Sequence, residues 1–272
     1  MECARKKVPR YYTKTARADG WSTELKYTYG SAGSEPAVKK TAPLVGDPLV
    51  YNAAGLTLAQ WTVLTQESAA ARTANSGLAA SVRSGGEIDF DALTGINRDV
   101  AAWLILDGTA IDYPVVRGTD NAYYLNRLYN KEINRGGTIF IDNACSRTFS
   151  GRNTVIYGHN MGDGSMFAGL LGYKQQSYYD AHPVMRLYTP AANYQVEVFA
   201  AFATGDDYDG VARVSFSGGA DFTGYVNECV RKSGISTGVS VGADDKIITL
   251  VTCSDNYDNT RYLVMGRLTK LP

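Results

Sequence analysis

Histidine and cysteine are scarce in this 272-residue chain, and this scarcity limits the chemistry that is open to it. The histidines and cysteines are His159, His182, Cys3, Cys145, Cys229 and Cys253. No two cysteines form a Cys-x-x-Cys pair, so the spacing of a structural zinc site is missing. Four cysteines are also too sparse in a chain of this length for a disulfide framework. We therefore expect no metal and no other cofactor, and each cysteine is by default a small buried hydrophobe.

The chain also lacks an excess of charge of either sign and a long apolar run. The 27 Lys+Arg residues balance the 27 Asp+Glu residues, whereas a protein that follows nucleic-acid phosphates needs surplus positive charge, so nucleic acid is excluded as the main partner. The basic cluster within residues 1–17 is typical of a solvated or membrane-flanking tail. No segment approaches the roughly 18 apolar residues of a transmembrane helix, and the N-terminus lacks the apolar core of a signal peptide. We expect the chain as written to be soluble.

The first third of the chain divides into two parts. Residues 1–55 have little apolar periodicity and predict an extended or poorly ordered lead-in. Apolar residues and alanines between 57 and 82 predict a helix, and Asp89 is a plausible N-cap for a second short helix. Residues 56–95 are therefore expected to form an N-terminal helical segment.

From residue 96 to residue 272 the sequence is rich in short β-type segments separated by Gly, Asn and Asp. The predicted strands are Ala102–Leu106, Tyr113–Val116, Thr138–Ile141, Thr154–Tyr157, Val184–Tyr188, Tyr194–Ala203, Lys246–Thr252 and Tyr262–Leu268. So many short strands predict a mainly β fold, either a closed barrel or a sandwich. Short helices or helical turns are predicted within 120–128, 165–173 and 222–231.

Cys253 stands out among the cysteines because of its position. It follows an apolar, β-branched run that predicts a core strand, and a polar loop follows it directly. A thiol at a strand end has a rigid backbone and can face a substrate, which suits a nucleophile. A buried core thiol is the alternative.

His159 lies in a similar place, where an apolar strand meets the Gly162–Gly164 loop. Imidazole can accept a proton from a thiol and return it to a leaving amine near neutral pH. His182 precedes Pro183 at the start of a predicted strand, and we interpret it as a surface or turn histidine.

Arg261 follows Cys253 by eight positions, on the next predicted strand. A hairpin would return its guanidinium close to the thiol, where it could stabilise an oxyanion. A surface arginine paired with Asp255 or Asp258 is the alternative, and spacing alone does not separate the two.

These three residues lie in segments that make the chain similar to the class B sortases. Residues 249–253 (TLVTC) resemble the TLxTC signature of that family, with Arg261 on the strand that follows and His159 within residues 157–161 (YGHNM). Further blocks of residues 88–272 resemble the family in the expected order: Ile96–Val100 with Trp103, Ile111–Val116, Asp120–Leu125, Gly137–Asp142 and Asp163–Ala168.

The resemblance implies a fold and a set of roles. The family fold is an eight-stranded β-barrel with helices at the N-terminus and short inserted helices. Cys253 would be the nucleophile, His159 its acid–base partner, and Arg261 the residue that orients the substrate or stabilises the oxyanion. It also implies secondary positions near the substrate, at Thr252, Asn160 and Asp255.

The resemblance further implies a reaction and its partners. Sortases cleave the Thr–Gly-type bond of a C-terminal LPxTG-like sorting signal through a thioester and transfer the surface protein to an amine of a peptidoglycan precursor. The family works at the extracellular face of the plasma membrane, usually with an N-terminal membrane anchor, which residues 1–55 lack. Two alternatives remain open: a pilin-polymerising sortase that uses a pilin lysine as acceptor, and a binding barrel that has lost the reaction.

Overall fold

The computed structural model describes residues 11–17, 20–26, 40–43, 71, 73–84, 87–205, 212–253 and 260–272. The chain divides into two compact units, one built mainly of Met1–Ala69 and the other of Ala70–Asp255 with Asn259–Pro272.

The first unit contains a three-stranded antiparallel sheet. Its strands are β1 (Tyr11–Arg17), β2 (Gly20–Lys26) and β3 (Lys40–Pro43), and β2 lies in the middle. The threonines and aromatic residues of β1 and β2 favour strands. These strands fall within the lead-in expected at 1–55, which stays a prediction because its other residues lie outside the described ranges.

The second unit begins with a helical segment. Helix α1 covers residues 73–82, a two-stranded hairpin of β4 (Arg83–Ser84) and β5 (Glu87–Ile88) follows, and α2 (Phe90–Ile96) ends the segment. The Asp89 carboxylate accepts a hydrogen bond from the Ala92 amide at 2.8 Å, which confirms the predicted N-cap. The part of the predicted first helix before residue 71, and its glycine stop at 85–86, lie outside the described residues.

A closed barrel of eight strands forms the body of this unit. The strands are β6 (Val100–Ile105), β7 (Asp112–Val116), β8 (Phe140–Ile141), β9 (Asn153–Tyr157), β10 (Val184–Tyr188), β11 (Asn193–Thr204), β12 (Ile247–Cys253) and β13 (Arg261–Lys270). Their order around the barrel is β10-β11-β13-β12-β9-β8-β7-β6, and β6 pairs with β10 to close it. All eight predicted strands are confirmed, and the architecture is the barrel and not the sandwich.

Two pairs of neighbouring strands in the barrel are parallel. They are β7 with β8 and β9 with β12, whereas the other neighbours run antiparallel. A parallel pair needs a long crossover connection. The chain between β9 and β12 therefore includes two further strands and two α-helices.

The hydrophobic core fills the barrel. All six residues of β6 are buried, and so are Ile247, Ile248, Leu250 and Val251 of β12. Strands that are apolar on both faces need cover outside the barrel as well as packing inside it. The prediction that the run before Cys253 is a core strand is thus confirmed.

Short helices interrupt the strands where the sequence predicts them. The structure has 3₁₀ turns at Tyr123–Asn126 and Ala168–Lys174 and a longer helix, α4, at Gly219–Lys232. A further helix, α3 (Gln176–Ala181), was not predicted, because its six residues are mostly polar and show no apolar period. Among the described helices, none has the length and apolar character needed to cross a membrane.

Candidate active site

Strand register brings the three candidate residues to one edge of the barrel. Cys253, the last residue of β12, pairs directly with Arg261, the first residue of β13. On the other side of β12, Val251 pairs with Tyr157 of the parallel strand β9. His159 and Cys253 each lie two positions beyond this pair. The three residues therefore stand at the ends of three adjacent strands.

This register brings the three backbones within a short distance of one another. Opposed residues on neighbouring strands have Cα atoms about 4.5–5.5 Å apart. The Gly158 amide donates a hydrogen bond to the Val251 carbonyl at 3.0 Å, so the pairing of β9 with β12 continues up to the residue before His159. The pairing of Cys253 with Arg261 confirms the predicted hairpin, which brings the two backbones together. The position of the guanidinium relative to the thiol stays a prediction.

A main-chain carbonyl holds the ring of His159. The distance between His159 Nε2 and the Leu125 carbonyl oxygen is 2.6 Å. A carbonyl oxygen can only accept, so Nε2 carries the proton and donates it. In the neutral imidazole, Nδ1 is then the acceptor. The His159 carbonyl in turn accepts from the Phe167 amide at 2.9 Å, which fixes the backbone of this residue.

The glycine before His159 is required by close packing. A Cβ atom added to Gly158 would lie 2.6 Å from Cδ2 of Phe167 and 2.8 Å from Cγ2 of Ile139. Only a residue without a side chain lets the main chain run this close to both. Phe167 therefore holds this segment at two points, with its ring against Gly158 and its amide at the His159 carbonyl.

The structure places His182 in a different setting. It follows the last turn of α3, where its amide donates to the Tyr178 carbonyl at 2.9 Å. Its ring packs on that of Tyr178 with a centroid distance of 4.6 Å, and its carbonyl accepts from the Tyr173 hydroxyl at 2.7 Å. These contacts are those of a histidine at a helix end, in agreement with the interpretation as a turn residue.

The secondary positions differ in what surrounds them. Thr252 is 2% exposed, and its hydroxyl is the one buried side-chain polar atom among the described residues that lacks a hydrogen-bond partner. Asn160 is half-buried and forms an isolated bridge with Met166. Arg261 is half-buried, and its Nη1 donates to the Thr260 carbonyl at 3.2 Å. Asp255 lies outside the described residues.

Two of the other thiols are buried in apolar surroundings. Burial raises the pKa of the Cys145 thiol to about 11, and it has the same effect on Cys229. Both thiols therefore stay protonated near neutral pH, as expected of small core residues. Cys3 lies outside the described residues.

The Leu125 carbonyl is the part of the site that sequence reasoning missed. Residues 120–125 resemble a block of the class B sortases. That resemblance does not point to the Leu125 carbonyl, because every residue has a main-chain acceptor whatever its side chain. The strand ends, in contrast, were visible in the sequence because apolar runs stop abruptly at polar residues.

The chain resembles known proteins in sequence. The family model of the sortase domain matches residues 104–269. Sortase B of Listeria monocytogenes is 37% identical over 194 residues, covering 70% of this chain and 78% of that protein. Sortase B of Staphylococcus aureus is 36% identical over 184 residues, covering 67% of this chain and 75% of that protein.

Solved structures share the barrel. A substrate complex of Staphylococcus aureus sortase B superposes with a TM-score of 0.64 at 35% identity, covering 68% of this chain and 86% of that one. Sortase B from B. anthracis in complex with AAEK1 gives a TM-score of 0.70 at 31% identity, covering 76% of this chain and all of that one. Sequence, fold and the cysteine at the end of β12 lead to one conclusion: the chain belongs to the sortase family, in its class B branch, and is a cysteine transpeptidase.

Proposed function

We propose that this transpeptidase cleaves an LPxTG-like sorting signal at its Thr–Gly-type bond, with Cys253 as nucleophile and His159 as acid–base partner. The observation that carries the proposal is the register of β9, β12 and β13, which aligns residues 159, 253 and 261 at one barrel edge. The relatedness to a sortase B that has been solved as a substrate complex supports a sorting signal as substrate.

In the first step, the Cys253 thiolate attacks the carbonyl carbon of the scissile peptide bond. A C–S bond forms, the carbonyl π electrons move to oxygen, and a tetrahedral oxyanion results. The C–N bond then breaks as His159 gives a proton to the departing amine, which leaves an acyl-enzyme thioester. In the second step an acceptor amine attacks the thioester, loses a proton to His159 and releases the thiolate.

The tautomer of His159 suits this role. With its Nε2 proton donated to the Leu125 carbonyl, the ring offers Nδ1 for proton exchange with the thiol and the amine. A carbonyl oxygen can accept from Nε2–H in both the neutral ring and the imidazolium, because both forms carry a proton on this nitrogen. Both protonation states of the ring can thus keep the same orientation.

Arg261 is proposed to stabilise the oxyanion or to orient the substrate carbonyl. Its backbone lies directly opposite Cys253, so a guanidinium on a side chain of this length can reach the reacting carbonyl. A fixed positive charge near a developing oxyanion lowers the barrier, and loss of one such donor costs about 10²–10³ in kcat.

Thr252, Asn160 and Asp255 are proposed to contact the bound peptide. The observation that favours Thr252 is its buried hydroxyl without a partner. A buried polar group of this kind carries a desolvation cost of about 1–3 kcal/mol, which a hydrogen bond to a bound main chain would relieve. Asn160 directly follows His159 and lies at the same barrel edge.

The acceptor is proposed to be an amine of a peptidoglycan precursor, which would place the enzyme at the outer face of the plasma membrane. Incubation of the enzyme with a sorting-signal peptide and either a short glycine peptide or a purified pilin subunit tests this. Product that carries the glycine amine supports the cell-wall acceptor. Covalent pilin ladders without that product would show the pilin lysine to be the acceptor instead.

The nucleophile is tested with Cys253→Ala and a fluorogenic LPxTG-like peptide. We expect the variant to lose both peptide cleavage and the acyl-enzyme adduct that mass spectrometry detects on the wild-type protein. Retained cleavage would contradict the role of Cys253. If the folded wild-type protein forms no adduct with any member of a library of five-residue sorting peptides, the result would favour the alternative of a binding barrel that has lost the reaction.

A further inference from the structure

The carbonyl that holds His159 belongs to a tightly constrained segment. Leu125 lies in the 3₁₀ turn Tyr123–Asn126, directly after Tyr124. A hydrogen bond of 2.6 Å to this carbonyl can select one tautomer of His159 only if the carbonyl itself stays in place.

A buried polar network fixes the residue before that carbonyl. Tyr124 is 1% exposed, and its hydroxyl donates to Asp99 Oδ2 at 2.6 Å and accepts from Asn97 Nδ2 at 2.8 Å. Asn97 Nδ2 also donates to the Tyr129 carbonyl at 2.6 Å. Asp99 is further paired with Lys131 at 3.1 Å. The phenol oxygen thus has one donor and one acceptor as partners inside the protein.

The energetics favour a single position for this phenol. Burial and the Asp99 carboxylate raise the pKa of Tyr124 above its ordinary value, so the hydroxyl keeps its proton and remains a donor. A buried hydroxyl that loses its partners is costly, and hydrogen bonds to a charged group are stronger than average. Movement of the Tyr124 backbone would break both bonds at once.

A glycine closes the segment from the other side. Gly137 has a φ of +60°, and a Cβ atom there would lie 2.5 Å from the Tyr124 carbonyl oxygen and 2.7 Å from the Leu125 carbonyl oxygen. The next residue, Thr138, donates its amide to the Tyr124 carbonyl at 3.0 Å. The returning chain therefore touches both carbonyls, and it can do so only because Gly137 has no side chain.

We infer that Tyr124, with Asn97 and Asp99, and Gly137 are positioning residues for His159. They hold the Leu125 carbonyl where it keeps the imidazole in its Nε2–H form. This inference rests on the proposed role of His159 in proton transfer. None of these residues touches the reacting atoms, so they act through the carbonyl.

The test uses Tyr124→Phe, which keeps the buried ring and removes the hydroxyl. The chain has only two histidines, so ¹⁵N NMR shows two sets of imidazole signals. The set that disappears in His182→Gln belongs to His182, and the other belongs to His159. We expect wild-type His159 to be the Nε2–H tautomer and the variant to show a mixture. With a fluorogenic LPxTG-like peptide, kcat should fall about tenfold while KM changes less than twofold.

The matched control is Tyr173→Phe. Tyr173 is equally buried, and its hydroxyl donates to the His182 carbonyl at 2.7 Å, on the other histidine. We expect this variant to lose a similar amount of thermal stability but to keep both the His159 tautomer and kcat. A general loosening of the fold would affect the two variants alike, whereas a positioning role affects Tyr124→Phe alone.

Gly137→Ala provides a second variant that does not depend on the phenol. Its control is Gly108→Ala, because Gly108 also has a positive φ, +76°, but a Cβ there meets only Cε1 of His182 at 3.4 Å. Gly137→Ala should show the mixture of His159 tautomers, and Gly108→Ala should not. An unchanged His159 tautomer in both Tyr124→Phe and Gly137→Ala would overturn the inference. An altered tautomer with unchanged kcat would uphold the positioning and overturn the proposed role of His159.

Discussion

At the scale of single residues, the cysteines differ in their local environment, which the amino-acid composition does not reveal. Cys145 and Cys229 are buried, and burial raises the pKa of each to about 11. Cys253 stands instead at the end of β12, next to the end of β9 that leads to His159. The difference gives a chemical test that needs no substrate.

We expect iodoacetamide at pH 7.5 to modify Cys253 well before Cys145 and Cys229. A thiol with a pKa about 3.5 units above the pH is thiolate in only about one molecule in 3,000, and the thiolate is the reactive form. Peptide mapping by mass spectrometry measures the three rates. In urea all three should react alike. Equal rates in the folded protein would contradict the assignment of Cys253 as the reactive thiol.

Two threonines on β12 offer a matched comparison. Thr252→Val replaces a buried hydroxyl without a partner by a methyl group, so the free energy of unfolding should stay unchanged or rise by about 1 kcal/mol. Thr249 is equally buried, but its hydroxyl donates to Asn153 Oδ1 at 2.9 Å. Thr249→Val should therefore lower the free energy of unfolding by about 1–3 kcal/mol.

Urea unfolding of the two valine variants measures the stability difference, and peptide turnover measures function. If the Thr252 hydroxyl binds the substrate, Thr252→Val should be stable yet slower. Equal destabilisation by both substitutions would show that the Thr252 hydroxyl has a partner in solution.

Much of the candidate site could be predicted at this scale, for a physical reason. Cys253, His159 and Arg261 are reactive polar residues at the ends of apolar strands, and both features are visible in the sequence. The Leu125 carbonyl is not, because every residue has one and only the fold decides where it points. The phenol of Tyr124 falls between these cases, since burial of a tyrosine is predictable and its partners are not.

At the scale of secondary structure elements, α4 shows how a local charge starts a helix. Asp221, in its first turn, accepts hydrogen bonds from the amide of Ser217 at 2.8 Å and from the guanidinium of Arg213. These bonds, that from Arg213 above all, lower the pKa of Asp221 to about 2. The carboxylate therefore stabilises the folded state in its charged form.

The lowered pKa of Asp221 determines how the stability of the folded state changes with pH. Because the pKa in the folded state lies below the ordinary value of 3.8, the stabilisation is complete above about pH 5 and is lost as the pH falls from about 4 to about 2. We expect the Tm of wild type to exceed that of Asp221→Asn at pH 7 and the difference to vanish near pH 2. The other carboxylates titrate in both proteins, so their effect on Tm cancels in the difference between wild type and Asp221→Asn. A pH-independent difference would contradict the assignment.

Elements were predicted well where apolar patterns are long and poorly where they are short. All eight barrel strands follow from β-branched and apolar runs, and α2 follows from its cap at Asp89. Helix α3 was missed because Gln176–Ala181 has no apolar period, and contacts with the rest of the fold, such as the edge-on packing of Tyr178 against Tyr173, hold it in place. The parallel pairing of β9 with β12 could not be derived either, since strand order depends on the closed barrel.

At the scale of the whole molecule, the barrel unit contains its own core. That core includes Leu78 and Val82 of α1, and Arg83, the next residue, forms an ion pair with Asp112. Asp112 also accepts a hydrogen bond from the indole of Trp103 at 2.6 Å. The segment from 73 to 83 is therefore part of the barrel unit.

A pair of truncations tests this boundary. Removal of residues 1–69 should leave the Tm within a few degrees of the full chain, because the unit from Ala70 onward keeps its core. Removal of residues 1–86 also deletes Leu78, Val82 and Arg83, and it should lower the Tm by at least 10 °C, since two buried apolar side chains are lost. Circular dichroism measures both. Equal melting temperatures would show that α1 contributes nothing to the barrel.

The parallel contact between β9 and β12 also has a consequence for how the enzyme comes into being. Thr154 pairs with Ile248, which the ribosome adds 94 residues later. Pairing between such distant parts of a chain closes a long loop, and the entropic cost of that closure slows folding. The ends of β9 and β12, which carry residues 159 and 253, are held side by side by this pairing and therefore depend on β12 having joined the barrel. On the proposed roles of Cys253 and His159, the reaction therefore requires the completed barrel.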